Sequence, residues 1–257
     1  MFGNVRDWTP LFQSFLDLLY PRSCLQCHAD IGNGTSRAKT PSDDTSGHFC
    51  SSCWKNIQRI EGPACPLCAA PFPSPASLSH SPDHHCSECR EDPPAFSSAI
   101  TPFLYEGTLV KAIQSLKYNK RNTLARPLAR LLMGDLEKCA VDRVMAIPLH
   151  PKRLRSREFN QSLLLAEQLS KLRSVPLLID AMSRVRETPP QVGLSKKERK
   201  KNIRRAFSVT SPGSVQNQRI LLIDDVYTTG ATLREGAKTL IRAGAKEVVV
   251  AAVARMV

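Results

Sequence analysis

Eight of the nine cysteines fall in four Cys-X-X-Cys pairs: Cys24 with Cys27, Cys50 with Cys53, Cys65 with Cys68, and Cys86 with Cys89. Two intervening residues let one knuckle offer both sulfurs to a tetrahedral ion at about 2.3 Å, and two knuckles complete a closed structural site. Two structural zinc ions are therefore expected. Gaps of 22 residues between the first two pairs and 17 between the last two suit sequential pairing: Cys24, Cys27, Cys50 and Cys53 in one site, Cys65, Cys68, Cys86 and Cys89 in the other. Interleaved pairing is the alternative. His28, His48, His80, His84 and His85 share this stretch, but four complete thiolate pairs leave them no ligand position. Disulfides are the rival chemistry. The first residues lack the basic and apolar regions of an export signal, so a cytoplasmic, reducing location is expected, where such spacing binds metal. Cys139 stands apart after a helical pattern and reads as a core thiol.

Charge separates the chain into unlike parts. Residues 1–95 hold 7 basic and 10 acidic side chains, whereas 146–206 hold 15 and 5, within a net charge of +13. Zinc on four thiolates adds a formal charge of about −2 per site and widens the contrast. A concentrated positive surface attracts phosphate, whether of nucleic acid or of a small ligand. The longest apolar run near the C-terminus, Val248 to Val253, is far below the roughly 20 residues that span a bilayer. No membrane span is expected.

At 257 residues and 42% hydrophobic composition the chain can bury a sizeable core. Thr9 can cap a helix from Pro10 to Pro21, and residues 37–47 and 71–82 read as polar loops. After Pro93 and Pro94 the texture changes. We expect an N-terminal helix and double zinc module over 1–94 and a second domain over 95–257. In the latter, strands are expected at Ala99–Leu104, Val144–Ile147, Leu177–Ile179, Ile220–Ile223 and Val248–Val253. Helices are expected at Thr108–Tyr118, Leu124–Leu136, Gln161–Leu172 and Ala231–Ala243. Such alternation, with fully apolar strands, predicts an α/β fold: a mostly parallel sheet covered by helices on both faces, with ligands beyond the strand carboxyl ends.

The run Ile220-Leu-Leu-Ile-Asp-Asp-Val-Tyr-Thr-Thr-Gly-Ala-Thr232 puts two carboxylates at a strand end, then a Thr/Gly loop, then a helix. Backbone N–H groups of Thr228, Thr229, Gly230, Ala231 and Thr232, with the positive helix end, can hold a phosphate. Asp224 and Asp225 would repel that phosphate unless they face its sugar, where they can accept hydrogen bonds from vicinal hydroxyls. The combination reads as a ribose 5-phosphate site, and it resembles the phosphoribosyl-pyrophosphate motif of type I phosphoribosyltransferases. Upstream, Ala146-Ile-Pro-Leu-His-Pro-Lys152 follows another buried strand, with Arg153, Arg155 and Arg157 after it. A pyrophosphate loop is expected here, with His150, Lys152 and Arg157 as ligand-binding residues.

With the four cysteine pairs, the chain resembles the ComF family of competence-associated proteins, which join a zinc ribbon to a phosphoribosyltransferase-like domain. Where that family carries Arg-Gly-Phe-Asn-Gln, this chain has Arg157-Glu-Phe-Asn-Gln161. Glu158 therefore stands at a position where a positive φ would strain it, and it would weaken anion binding unless paired with Arg155 or Arg157. Arg184, Arg186, Gln191, Arg199 and Asn202 match the spacing of the family's mobile loop. The resemblance implies Mg²⁺ with phosphoribosyl pyrophosphate, and Asp224, Asp225 and Arg199 as the catalytic set should transfer occur. It also implies a role in natural transformation or DNA utilisation, with single-stranded DNA and competence helicase or DNA-processing proteins as partners. An active phosphoribosyltransferase of nucleotide metabolism is the alternative, although no base-binding hood is recognisable. A sequence-specific zinc-finger DNA binder would need basic helices beside the knuckles, and residues 1–95 are net acidic.

Overall fold

The computed structural model of the chain describes residues 22–31, 47–72, 84–189 and 195–257. The helix expected between Pro10 and Pro21, loop residues 37–46 and 73–82, His80 and Gln191 lie outside the described residues. The chain divides into two compact units, Met1–Ile57 and Gln58–Val257. The position expected for the domain boundary, near residue 94, and the second cysteine group both lie within the larger unit.

In the smaller unit, α1 (Ser51–Lys55) is capped by Cys50, whose sulfur accepts the Cys53 N–H at 3.4 Å. Phe49 is fully buried and meets Trp54 with ring centroids 5.7 Å apart.

The larger unit runs through α2 (Ser87–Glu91), β1 (Ser98–Ile100), β2 (Phe103–Leu104), α3 (Gly107–Tyr118), α4 (Ala125–Leu131), α5 (Met133–Leu136) and β3 (Arg143–Ala146). It continues with α6 (Pro151–Arg157), α7 (Gln161–Arg173), β4 (Leu177–Leu178), β5 (Met182–Arg184), α8 (Lys196–Ile203) and β6 (Phe207–Val209). The last elements are α9 (Pro212–Val215), β7 (Arg219–Tyr227), α10 (Ala231–Arg242) and β8 (Glu247–Arg255). One parallel sheet has the order β1-β8-β7-β3-β4, with β2 also on β8, and β5 and β6 form a separate antiparallel pair.

Ile220 and Leu222 of β7, with Val248, Val250 and Ala252 of β8, pack in one core cluster with Leu233, Ala237 and Leu240 of α10. Strand alternation sends Leu221 and Ile223 to the opposite face, and they too are fully buried. The sheet is therefore covered on both faces, as the apolar strands require. On α3, Leu109, Ala112, Ile113 and Leu116 repeat at helical spacing and are fully buried.

Five elements differ from expectation, one of them α6, a helix over Pro151–Arg157 where a pyrophosphate loop and its following arginines were expected. The strand expected over Ala99–Leu104 is interrupted between β1 and β2, where Pro102 has no N–H to give a ladder. The single helix expected over Leu124–Leu136 is a 3-10 turn (Asn122–Leu124) followed by α4 and α5, with helix-weakening Gly134 in the last piece. The β5/β6 pair was not anticipated. Most consequential is β7, expected to stop at Ile223: it continues in register with β8 through Asp224 against Ala252, Val226 against Ala254 and Tyr227 against Arg255. The small alanines opposite leave room for polar side chains in a strand that acids ordinarily disfavour.

Leu222 is fully buried on the central strand. Leu222→Ala is expected to cost about 3 kcal/mol, read as a lowered urea midpoint with unchanged zinc content.

Candidate functional site

The carboxyl ends of β3 and β7 open on a cavity of about 650 Å³, lined among others by Arg153, Arg157, Arg184, Asp224, Asp225 and Thr228. Gly230, Ala231 and Thr232 also line it. Gly230 is the N-cap of α10 with φ 71°, and a Cβ there would lie 2.1 Å from the Tyr227 hydroxyl. Both the backbone and the ring beneath it demand glycine. Thr229 is outside the lining, and its Oγ1 accepts the Ala231 N–H at 3.4 Å. The loop thus aims the opening N–H groups of a twelve-residue helix into the cavity, the arrangement that favours anions.

The acids are held from several sides. Asp224 Oδ1 accepts from Ser162 Oγ and from the Asp225 N–H, both at 2.9 Å. Burial, and after it the neighbouring Asp225 charge, raises the Asp224 carboxyl to about 6. Asp225 is 4% exposed and pairs with Lys117 Nζ at 2.8 Å. Its Oδ2 is buried without a hydrogen-bond partner among the described residues.

Opposite stand guanidinium groups. Arg157 lies over the Tyr118 ring at 5.2 Å and donates to Gln161 Oε1 at 3.2 Å. Arg184, on β5, is 6% exposed, bonds Thr188 Oγ1, and leaves Nε without a partner among the described residues. Burial first, then Arg153, lowers the Arg184 guanidinium to about 10. Such crowding of cations is stabilised by anions. Arg199 of α8 reaches the same lining. His150 and Lys152 do not. They line an adjoining cavity with Arg153, Arg184 and Glu187, where Nδ1 of His150 accepts the Lys152 N–H and Lys152 Nζ binds Glu187 at 2.6 Å. Arg186 donates to the Asn202 and Arg204 carbonyls, and Asn202 Nδ2 to the Pro189 carbonyl, so these two residues tie α8 to the hairpin.

Glu158 has φ 67° as the C-cap of α6, a left-handed conformation that suits glycine. Its two carboxylate oxygens accept from Lys120 Nζ at 2.7 and 2.6 Å on the surface. The carboxylate is therefore paired with Lys120, not with Arg155 or Arg157, and stays out of the cavity lining.

The cysteines gather as Cys24, Cys27, Cys50, Cys53 and as Cys65, Cys68, Cys86, Cys89, all ligand atoms of each group lying within 4.8 Å of one another. Pairing is sequential. The Cys27–Cys50 and Cys68–Cys86 sulfurs are 3.7 and 3.6 Å apart, close to the roughly 3.8 Å edge of a tetrahedron with 2.3 Å zinc–sulfur bonds. His28 and Ala69, each next after a knuckle's second cysteine, share a left-handed φ of 62° and 57°. Their N–H groups return to the Cys24 and Cys65 carbonyls at 2.9 and 2.8 Å. Both groups fit zinc. Cys139 is half-buried, outside the core cluster.

The second group is built into the scaffold of the Gly230 loop. Arg234 of α10, 8% exposed, donates to Cys89 Sγ at 3.3 Å and to the Asp92 carbonyl at 2.7 Å. Arg255, ending β8, donates to the Cys68 carbonyl at 2.6 Å and lies 4.4 Å over the Tyr227 ring. Zinc on four thiolates would give these buried guanidiniums a compensating charge of about −2. Sequence reading singled out Arg153 beside the expected pyrophosphate loop and Arg184 in the mobile-loop pattern, but missed Lys117, Arg234 and Arg255, which carry no local signal.

The family model of the double zinc ribbon domain matches residues 15–90, and that of the phosphoribosyl transferase domain matches residues 160–256. The DNA utilization protein YhgH of Escherichia coli K12 is 35% identical over 211 residues, covering 79% of this chain and 88% of its own. Competence protein F of Haemophilus influenzae is 33% identical over 215 residues, covering 80% and 90%. Competence protein ComFC of Bacillus subtilis is 27% identical over 205 residues, covering 76% and 78%. Among the described residues no helix is long and apolar enough to cross a membrane.

Atomic absorption is expected to read two zinc ions per chain, falling to one in Cys89→Ser. That variant should also unfold at lower temperature, because Cys65, Cys68 and Cys89 belong to the core cluster. Glu158→Gly should raise stability by about 0.5–1 kcal/mol, since left-handed strain outweighs one exposed ion pair; chemical denaturation measures it.

Proposed function

The chain belongs to the ComF family, with Competence protein F and DNA utilization protein YhgH among its relatives, and we propose that it binds the ribose 5-phosphate part of a phosphoribosyl-pyrophosphate-type ligand while serving DNA uptake or utilisation. One observation carries the reading: the paired Asp224 and Asp225 share a cavity with the Gly230 loop and with Arg153, Arg157 and Arg184. The helix end at Ala231 would take the 5-phosphate, the two carboxylates the ribose hydroxyls, and the guanidiniums the pyrophosphate. Mg²⁺ would supply charge compensation at that pyrophosphate.

The DNA role draws on the names of the relatives and on the exposed Lys201, Arg204 and Arg205 that follow the cavity residue Arg199. A basic strip of this kind suits single-stranded DNA through its phosphates, with strong salt dependence and little sequence preference. Competence helicase or DNA-processing proteins are the protein partners this reading implies, in a cytoplasmic setting. Arg199 in the lining favours a second reading, transfer to a nitrogen nucleophile, in which positioning and electrostatics lower the barrier.

Isothermal titration with phosphoribosyl pyrophosphate and Mg²⁺ should give binding heat for the wild type and at least a tenfold loss for Asp224→Ala/Asp225→Ala. No heat from the wild type sinks the ligand reading. Pyrophosphate release across a panel of bases then separates the two activities: a binder releases none, a transferase releases it with its acceptor.

A further inference from the structure

Lys117 follows the buried face of α3 and reaches the floor of the cavity, where its side chain is 17% exposed and its partner Asp225 5% exposed. The ammonium occupies Oδ1 of Asp225, and Oδ2 is left as a buried acceptor with no donor among the described residues. Asp224 lies alongside, with Oδ1 already satisfied by Ser162 and by the Asp225 backbone. Two carboxylates side by side repel each other, and a single cation within ion-pair distance offsets that repulsion.

We propose that Lys117 is the positioning residue of the acid pair: it fixes Asp225 through Oδ1, leaves Oδ2 for a ligand hydroxyl, and serves as a counter-cation built into the chain. The proposal rests on the reading of this cavity as a ribose 5-phosphate site. Its consequence is a receptor for a phosphorylated sugar with vicinal hydroxyls that needs no divalent cation at the carboxylates. A ligand without pyrophosphate should then bind with metal removed.

The charged surroundings agree. Burial lowers the proton affinity of Lys117, but Asp225 first and then Asp224 more than restore it, so the ammonium stays charged above the usual lysine range. Tyr105, between β2 and α3, faces Lys117 and is itself pushed up by burial. Arg184 of β5 lines the same cavity as Asp224 and feels its charge, and Ser162 of α7 donates to Asp224. Among the described residues Lys117 is the cation in ion-pair contact with Asp225.

The test titrates ribose 5-phosphate in EDTA from pH 5.5 to 8.5 against wild type, Lys117→Met and Lys117→Arg, with inorganic phosphate as a probe of the loop alone. Wild type should bind and weaken as the pH falls through about 6, where Asp224 takes a proton. Lys117→Met should bind at least tenfold more weakly at pH 7 and recover toward pH 8.5, because losing the cation raises the carboxyl titration. Lys117→Arg should restore the wild-type profile, and inorganic phosphate should bind all three alike. A Met variant equal to wild type, or weakened by the same factor at every pH, overturns the proposal. Carbon-13 NMR titration of the aspartate carboxyls in ligand-free wild type and Lys117→Met decides the same point independently. An Asp224 midpoint that does not rise in the Met variant overturns the proposal. Wild type that binds phosphate but not ribose 5-phosphate overturns the sugar reading while the NMR arm still judges Lys117.

Discussion

The joint between the second cysteine group and the ends of β7, β8 and α10 governs the architecture of the larger unit. Arg234 and Arg255 are buried cations whose hydrogen bonds run to Cys89 Sγ and to the Asp92 and Cys68 carbonyls. Buried guanidiniums are costly unless charge nearby compensates them, and four thiolates holding zinc would supply that charge at short range. Metal coordination in small modules contributes roughly 10 to 16 kcal/mol. Here that contribution would act on a cluster that also holds Phe96, Tyr227, Ala231 and Leu233. The second knuckle pair is thus part of the hydrophobic core that carries the loop.

The same joint explains how a strand can carry two acids. β8 pairs with β7 along the whole length from Arg219 to Tyr227, and Arg255 at its end covers the Tyr227 ring. Backbone pairing to β8 at Asp224 and again at Val226 sets the direction of the carboxylates before any ligand arrives. Lys117 and Ser162 then fix their rotamers from α3 and α7.

What the sequence disclosed was local. Cysteine spacing announced the knuckles because two sulfurs two residues apart constrain one ion; the gaps favoured sequential pairing but left interleaving open until the fold grouped the cysteines. The Ile220–Thr232 run announced strand, loop and helix because each residue type has one use at its position. Legibility ended where distant segments meet. Lys117 is one more charge on an amphipathic helix until folding brings it to Asp225, and Arg234 and Arg255 look like surface residues until the cysteines arrive beside them. The β5/β6 pair joins segments on either side of a basic stretch, with only three residues each, too few to show a period of two. Glu158 suggested a conflict inside an anion site; the C-cap geometry turns its carboxylate to Lys120 on the surface.

Gly230 rests on the Tyr227 hydroxyl, the Tyr227 ring lies beneath the Arg255 guanidinium, and that guanidinium holds the Cys68 carbonyl. Glycine, ring, cation and knuckle form a continuous column under the loop. A loop propped from below in this way has little freedom left to lose. An anion bound there, as proposed, would meet donors already in register, so most of the ordering entropy of binding would be spent during folding, and arrival would resemble a key meeting a cut lock more than a hand closing.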